Sequence, residues 1–181
     1  MPFRIHPGWT LAVLLLCSSS AIAAPPAFAC IGGTQTIKAN PAAGCPSGTQ
    51  AALSGVSFDG TTSLTISGTG TGEGKANFTS IVITKGRDAA TDVLLSDLSG
   101  KTLIGTIAIG VYLSGNTGAS VTPDYNLLLS NVYVTNWSWS VAAGNSSALV
   151  ESVTLTFQKL VLVDNNTKQT VTWDPVKNTV N

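Results

Sequence analysis

The sequence predicts a mainly β fold carrying one short α-helix. Apolar residues alternate with period two along most of the chain, a single segment (88–99) spaces them as a helix does, and Gly, Ser, Asn and Thr clusters divide the alternating runs. With 181 residues, 44% of them hydrophobic, the chain has material for one domain with a real core.

The first alternating positions are Val56 and Phe58, then Leu64 and Ile66. The glycine series at 68–74 separates these from Phe78, Ile81 and Ile83. It is neither the G-x-G-x-x-G of a dinucleotide site nor a P-loop, so it reads as a flexible hairpin loop. Leu103, Ile107, Ile109, Val111 and Leu113 share one face of a later strand, and Ser-Gly-Asn-Thr-Gly at 114–118 is its turn. Between Leu127 and Val141 the apolar positions run first on even numbers (Leu128, Val132, Val134) and then on odd ones (Trp137, Trp139, Val141). One residue of slip swaps the faces of a strand, so this phase change predicts a bulge or bend. Val153, Leu155 and Phe157 alternate with Thr154, Thr156 and Gln158. The turn-prone Asp164-Asn-Asn-Thr167 then leads to Val171 and Trp173, completing a hairpin.

The helical exception is Asp88 to Ser99, with Val93, Leu94, Leu95 and Leu98 at helical spacing. Asp88 and Thr91 are cap-type residues, and Gly100 stands where a helix-ending glycine is expected. Asp92 near the start suits the positive end of the helix dipole.

The N-terminus has the layout of an export signal: Arg4, an apolar stretch from Trp9 to Leu16, and the small-x-small site Ala21-Ile22-Ala23. This predicts a mature chain starting near Ala24 in a periplasmic or secreted location. A cut after Ala27-Phe28-Ala29 would instead leave Cys30 first, as in a lipoprotein, although such sites carry Leu or another aliphatic residue where Ala27 stands. The apolar stretch is short of the roughly 20 residues that span a bilayer, so no stable membrane span is expected. Cys17 would leave with the signal, and Cys30 and Cys45, flanking the loop-like Asn40-Pro-Ala-Ala-Gly44, would form one disulfide in an oxidising compartment. The expected organisation is a signal peptide at 1–23, an N-terminal extension at 24–54 and a β-barrel domain at 55–181.

Several function classes are set aside. Charged residues make up 10% of the chain and balance to zero net charge, which gives no basic field for nucleic acid. The one histidine, His6, lies in the signal, so the mature chain has no His-based catalysis, and two cysteines cannot complete an ordinary zinc site. The carboxylates sit in turns, caps and strand ends, where solvated or structural acids normally stand. No catalytic residue, metal or cofactor is expected, and the protein is read as a non-enzyme.

Phe78, Ile81, Ile83, Thr84-Lys85, Asp88, Ala90-Thr91, Leu94-Leu95 and Gly100 follow one order, Tyr125 to Val134 another, and Glu151-Ser-Val-Thr-Leu-Thr-Phe-Gln-Lys-Leu160 a third. Together, over roughly Gly55 to Leu160, they resemble the Hcp family, the haemolysin-coregulated proteins that build the inner tube of type VI secretion systems. The resemblance implies a compact β-barrel of two sheets with one flanking helix, self-association into hexameric rings, and effector or secretion-apparatus proteins as further partners. It also implies structural roles for Lys85, Asp88, Thr91, Leu94, Leu95, Gly100, Glu151, Phe157 and Lys159: the hydrophobic ones as core, and Lys85 and Lys159 at contacts between subunits. The export signal and the segments 30–49 and 164–181 have no counterpart in the family pattern. A rival reading is a secreted β-sandwich binding module, with Trp137 and Trp139 on one strand face stacking on a carbohydrate or another surface ligand.

Overall fold

A computed structural model describes residues 26–33, 40–66, 72–113, 120–141, 148–174 and 179–180; the expected export signal, residues 68–71 of the glycine series and the 114–118 turn lie outside the described residues. Among the described residues, the strands are β1 (Ala27–Ile31), β2 (Thr49–Ile66), β3 (Gly72–Gly86), β4 (Ile104–Val111), β5 (Tyr125–Val141), β6 (Leu149–Asp164), β7 (Gln169–Asp174) and β8 (Thr179–Val180). They form one sheet in the order β3-β2-β1-β4-β5-β6-β7-β8, and β3 also pairs with β6. That extra pairing, over Ile81–Gly86 of β3, closes the first six strands into a barrel and covers the edges that a flat sheet would present there. The helix α1 (Ala89–Gly100) joins β3 to β4 and packs against β2 and β5.

Period-two alternation fills the barrel as the sequence predicts. Ala29, Leu53, Ile81, Ile83, Ile107, Ile109, Leu129, Val153 and Leu155 are all fully buried in one cluster. Burying branched side chains of this size stabilises by about 1.5–3 kcal/mol each relative to leaving them exposed. An aromatic group extends the core: Phe58 stacks on Phe78 with ring centroids 5.2 Å apart, and Trp173 of β7 meets Phe78 and Phe157 edge-on. Gly60 is required here, because a Cβ on it would stand 2.3 Å from the Phe78 ring. The Asp164–Thr167 turn predicted from sequence links β6 to β7, with Asp164 accepting from the amides of Asn166 and Thr167.

Four sequence expectations change. The barrel does not begin at residue 55: β1 is inserted between β2 and β4, and β2 starts at Thr49. Leu103 and Leu113 lie just outside β4 and are exposed, so the buried face of that strand is Ile104, Ile107 and Ile109. Strand β5 changes phase twice. Leu127 and Leu129 face the core, Asn131 takes a left-handed conformation (φ 53°), Val132 and Val134 then face inward, and a register shift between Val134 and Asn136 turns Trp137 toward the core. Leu128 is therefore not on the face of Val132. Finally, Gly100 is the last helical residue and Lys101 takes the left-handed capping position, φ 51°. Residue 101 thus ends the helix without glycine, and its amide donates to the Asp97 and Leu98 carbonyls.

The predicted bridge between Cys30 and Cys45 is present, with the Cα atoms 5.5 Å apart. Cys30 stands in the middle of β1, so a cut before it would sever that strand. The bridge holds the segment around the short 3-10 turn Pro41–Ala43 against the outside of the barrel. There Asn40 donates to the Val121 carbonyl at 2.6 Å, Gln50 donates to the Pro41 carbonyl at 2.6 Å, and the buried Tyr112 hydroxyl bonds Asn40 Oδ1. The bridge closes a loop with a sequence separation of 15, for which chain entropy gives about 3 kcal/mol. Replacing both cysteines, Cys30→Ala with Cys45→Ala, is expected to lower the unfolding free energy by about that amount. Urea melts of the oxidised protein and the variant measure it, and the β-type circular dichroism below the transition should be unchanged.

Candidate functional site

Four residues that the family pattern singled out, far apart in sequence, meet at one point. Lys85 ends the buried run Ile81, Ile83, Lys85 on β3, so alternation turns its side chain inward. In the β3–β6 ladder it lies directly opposite Glu151, which precedes the equally buried Val153 and Leu155. Asp88 caps α1, and Thr91, in its first turn, completes a capping box by accepting from the Asp88 amide at 3.2 Å.

The Lys85 ammonium is fully buried. It stands 2.8 Å from Glu151 Oε2, 2.6 Å from Asp88 Oδ1, 2.9 Å from Thr91 Oγ1 and 2.9 Å from the Gly86 carbonyl. Thr91 Oγ1 in turn donates to the Glu151 carboxylate, with both oxygens within 3.0 Å. Every lone pair and proton of that hydroxyl is therefore used. Glu151 is 1% exposed, whereas Asp88 keeps 29% of its side-chain surface in water. The desolvation cost of such a pair offsets much of its Coulomb attraction, so what the cluster gives is position: it fixes the register of the closing strands and pins the helix N-terminus to them. Both of its carboxylates are engaged by these partners.

The other pattern residues divide. Leu94 and Phe157 are core, as expected; Leu95 is 40% exposed, and Lys159 is exposed on β6. Lys85, expected at a contact between subunits, is fully buried in its own chain and paired there with Glu151 and Asp88. Trp137 and Trp139 do share a strand face but are not a pair of exposed indoles. Trp137 packs on the core with its Nε1 buried and without an acceptor, while Trp139 is 57% exposed. With Arg87, Asp92, Leu95 and Leu149 they line a shallow groove of about 200 Å³ beside α1. Sequence reading gave no weight to Asn126 and Asn165, which line a larger cavity of about 480 Å³. The available signal was a polar Asn126 beside the apolar run Leu127 to Leu129.

Among the described residues no three His, Cys, Asp or Glu side chains converge on a metal position, and no helix is long and apolar enough to cross a membrane. Fold and site together define a closed six-stranded β-barrel with one docked helix and a charged cluster held inside its walls. Comparison with known proteins places that fold. The family described as "Type VI secretion system effector, Hcp" matches residues 49–162, more than half of the chain. The fold is similar to the crystal structure of an Hcp protein, with a TM-score of 0.62 and 15% identity over 83% of this chain and 99% of that one. It is similar also to Hcp1 from Salmonella typhimurium, with a TM-score of 0.59 and 14% identity over 86% and 98% of the two chains. A third likeness is to the secreted protein Hcp3 from Pseudomonas aeruginosa, with a TM-score of 0.53 and 19% identity over 82% and 97%. Among curated proteins none matches the sequence at a significant level. The chain belongs to the Hcp family of type VI secretion proteins.

Lys85→Met leaves Glu151 buried without its counter-charge and is expected to cost about 3–5 kcal/mol. The double variant Lys85→Met with Glu151→Leu should recover part of that loss, which a double-mutant cycle of denaturant melts would read as coupling. Lys159→Ala, on the surface, should stay within about 0.5 kcal/mol of the parent.

Proposed function

We propose that the chain is a non-catalytic assembly subunit that associates with copies of itself into a hexameric ring, carries effector proteins within it, and works outside the cytoplasm after removal of residues 1–23. Membership of the Hcp family supports the ring and the cargo, and the observation that carries the reading is the closed six-stranded barrel itself. Closure pairs β3 with β6 over Ile81–Gly86, whereas β2 beyond Leu53 and β3 from Gly72 to Ser80 pair with each other, so another copy is met through the side-chain surfaces of the barrel or along this hairpin. One such surface is apolar. Leu95 of α1 and Trp139 line the same groove, and Val141, two residues on along β5, is 52% exposed. Exposed aromatic and aliphatic side chains grouped in this way are the usual centre of an interface. Lys159, also exposed, is placed at a subunit rim in this reading. The committed carboxylates of the Lys85 cluster favour a structural protein over an enzyme.

Size exclusion with light scattering tests the ring: the native mass should be six times that of the protomer and should fall to one protomer in Trp139→Asp with the circular dichroism unchanged. A parent protein that is monomeric at every concentration would sink the ring and leave only the fold. The address is tested separately, by mass spectrometry of the chain recovered from the extracytoplasmic fraction. The expected N-terminus is near Ala24, and an intact Met1 would refute processing.

A further inference from the structure

We propose that the cavity on the outside of the barrel, built around Asn126, is a binding site for a small uncharged ligand bearing a secondary amide, such as an N-acetyl group. The inference is independent of the ring and cargo reading above. Its floor is one cross-strand row: Gly110 on β4 faces Asn126 on β5, Asn126 faces Val163 on β6, and Val163 faces Thr170 on β7. The last three line the cavity, together with Thr122, Pro123 and Asn165. The wall is made by the disulfide-held segment, where Asn40 also borders the space. Gly110 lets that wall approach, since a Cβ there would stand 3.0 Å from Pro41 and 3.3 Å from Pro123. The volume of about 480 Å³ is in the range of small-ligand pockets.

The chemistry of the lining selects the ligand. Asn126 is 7% exposed, and among the described residues its side-chain amide has no hydrogen-bond partner, so its donor and acceptor face the cavity uncommitted. A primary amide offers a donor and an acceptor side by side, which is the complement of another amide. Asn165 donates through Nδ2 to the Pro123 carbonyl at 2.7 Å, which leaves Oδ1 as a further acceptor, and Thr122 and Thr170 add hydroxyls. Val163 and Pro123 supply apolar surface suited to a methyl group. None of the described residues that line the cavity is ionised. The two nearby carboxylates are engaged elsewhere: Asp124 accepts from Asn166 Nδ2 and the Leu113 amide, Asp164 accepts from the Thr167 and Asn166 amides, and these bonds hold both below the usual carboxylate range. A charged ligand would find no counter-ion, whereas a neutral amide would find its partner. Asn40, Val163, Asn165 and Thr170 all fall outside the segment 49–162 that the family shares.

An N-acetyl group reaches such a site from a sugar or from a peptide, and the experiment separates the two. The full chain, with its disulfide formed and labelled with nitrogen-15, is titrated with N-acetylglucosamine, with N-acetylalanine methylamide, and with glucose as the amide-free control. The expected result is that one or both acetylated probes shift the Asn126 side-chain amide signals while glucose does not, the responding probe naming the source. Binding should weaken at least about tenfold in Asn126→Leu, as expected when a buried hydrogen-bonding partner is removed. Thr170→Val, on the exposed β7, gives a second variant should the first fail to fold, and it too should weaken binding. Absence of any shift at Asn126 at high millimolar probe, an equal response to glucose, or affinity unchanged in the folded variants would overturn the proposal.

Discussion

The structure depends on the pairing of β3 with β6. Without it the chain would be an open sheet with two bare edges; with it, the first six strands become a barrel whose apolar face is enclosed on all sides. The ladder places Lys85 against Glu151 at the end of this seam, and the Thr91 hydroxyl and the Asp88 cap bring the helix to the same point. Sheet closure and helix docking therefore share one set of hydrogen bonds. A slip of one residue along the seam would turn Lys85 to the other face and leave Glu151 without its partner, so the charges act against wrong registers as much as for the correct one.

Much of this was legible in the chain because β alternation is a local signal. Ile81, Ile83, Val153, Leu155 and Phe157 announce their burial through the residues on either side, and the cap residues of the helix did the same for Asp88 and Thr91. The family pattern gathered Lys85, Asp88, Thr91 and Glu151, but it could not say that the lysine points inward, since a charged residue continuing an apolar run reads equally as a surface end. What failed to show was the non-local part. Strand β1 looks like an isolated tail because it is only five residues long and one of its two partners, β4, is supplied by distant sequence. The two phase changes in β5 blurred into one, because Leu128 is half-buried on the outer face and counts as apolar in any alternation. Asn126 stayed hidden for the same reason: only the fold puts Val163, Thr170 and the disulfide-held segment around it.

The molecule thus has two unlike surfaces. Beside α1 lies an apolar strip with an exposed indole, built within the segment shared by the family. Outside the barrel, over β4 to β7, lies a cavity of amides and hydroxyls with no charge in its lining, built largely from the ends that the family pattern does not include. The common barrel carries both, and the extensions change one while leaving the other intact.

The strand order has a consequence for time as well as shape. Ala27 of β1 pairs with Val111, and Ile83 of β3 waits for Val153, so the contacts that complete the barrel join segments far apart along the chain. Topologies dominated by such distant pairings fold slowly, because the cost of closing long loops comes before any contact rewards it. A chain emerging N-terminus first can pair β1 with β2 early, but β4 comes much later and the ring of strands cannot shut until β6 has arrived. Until then the apolar faces of the strands already made have no closed interior to enter, and the last long strand decides when water leaves the barrel.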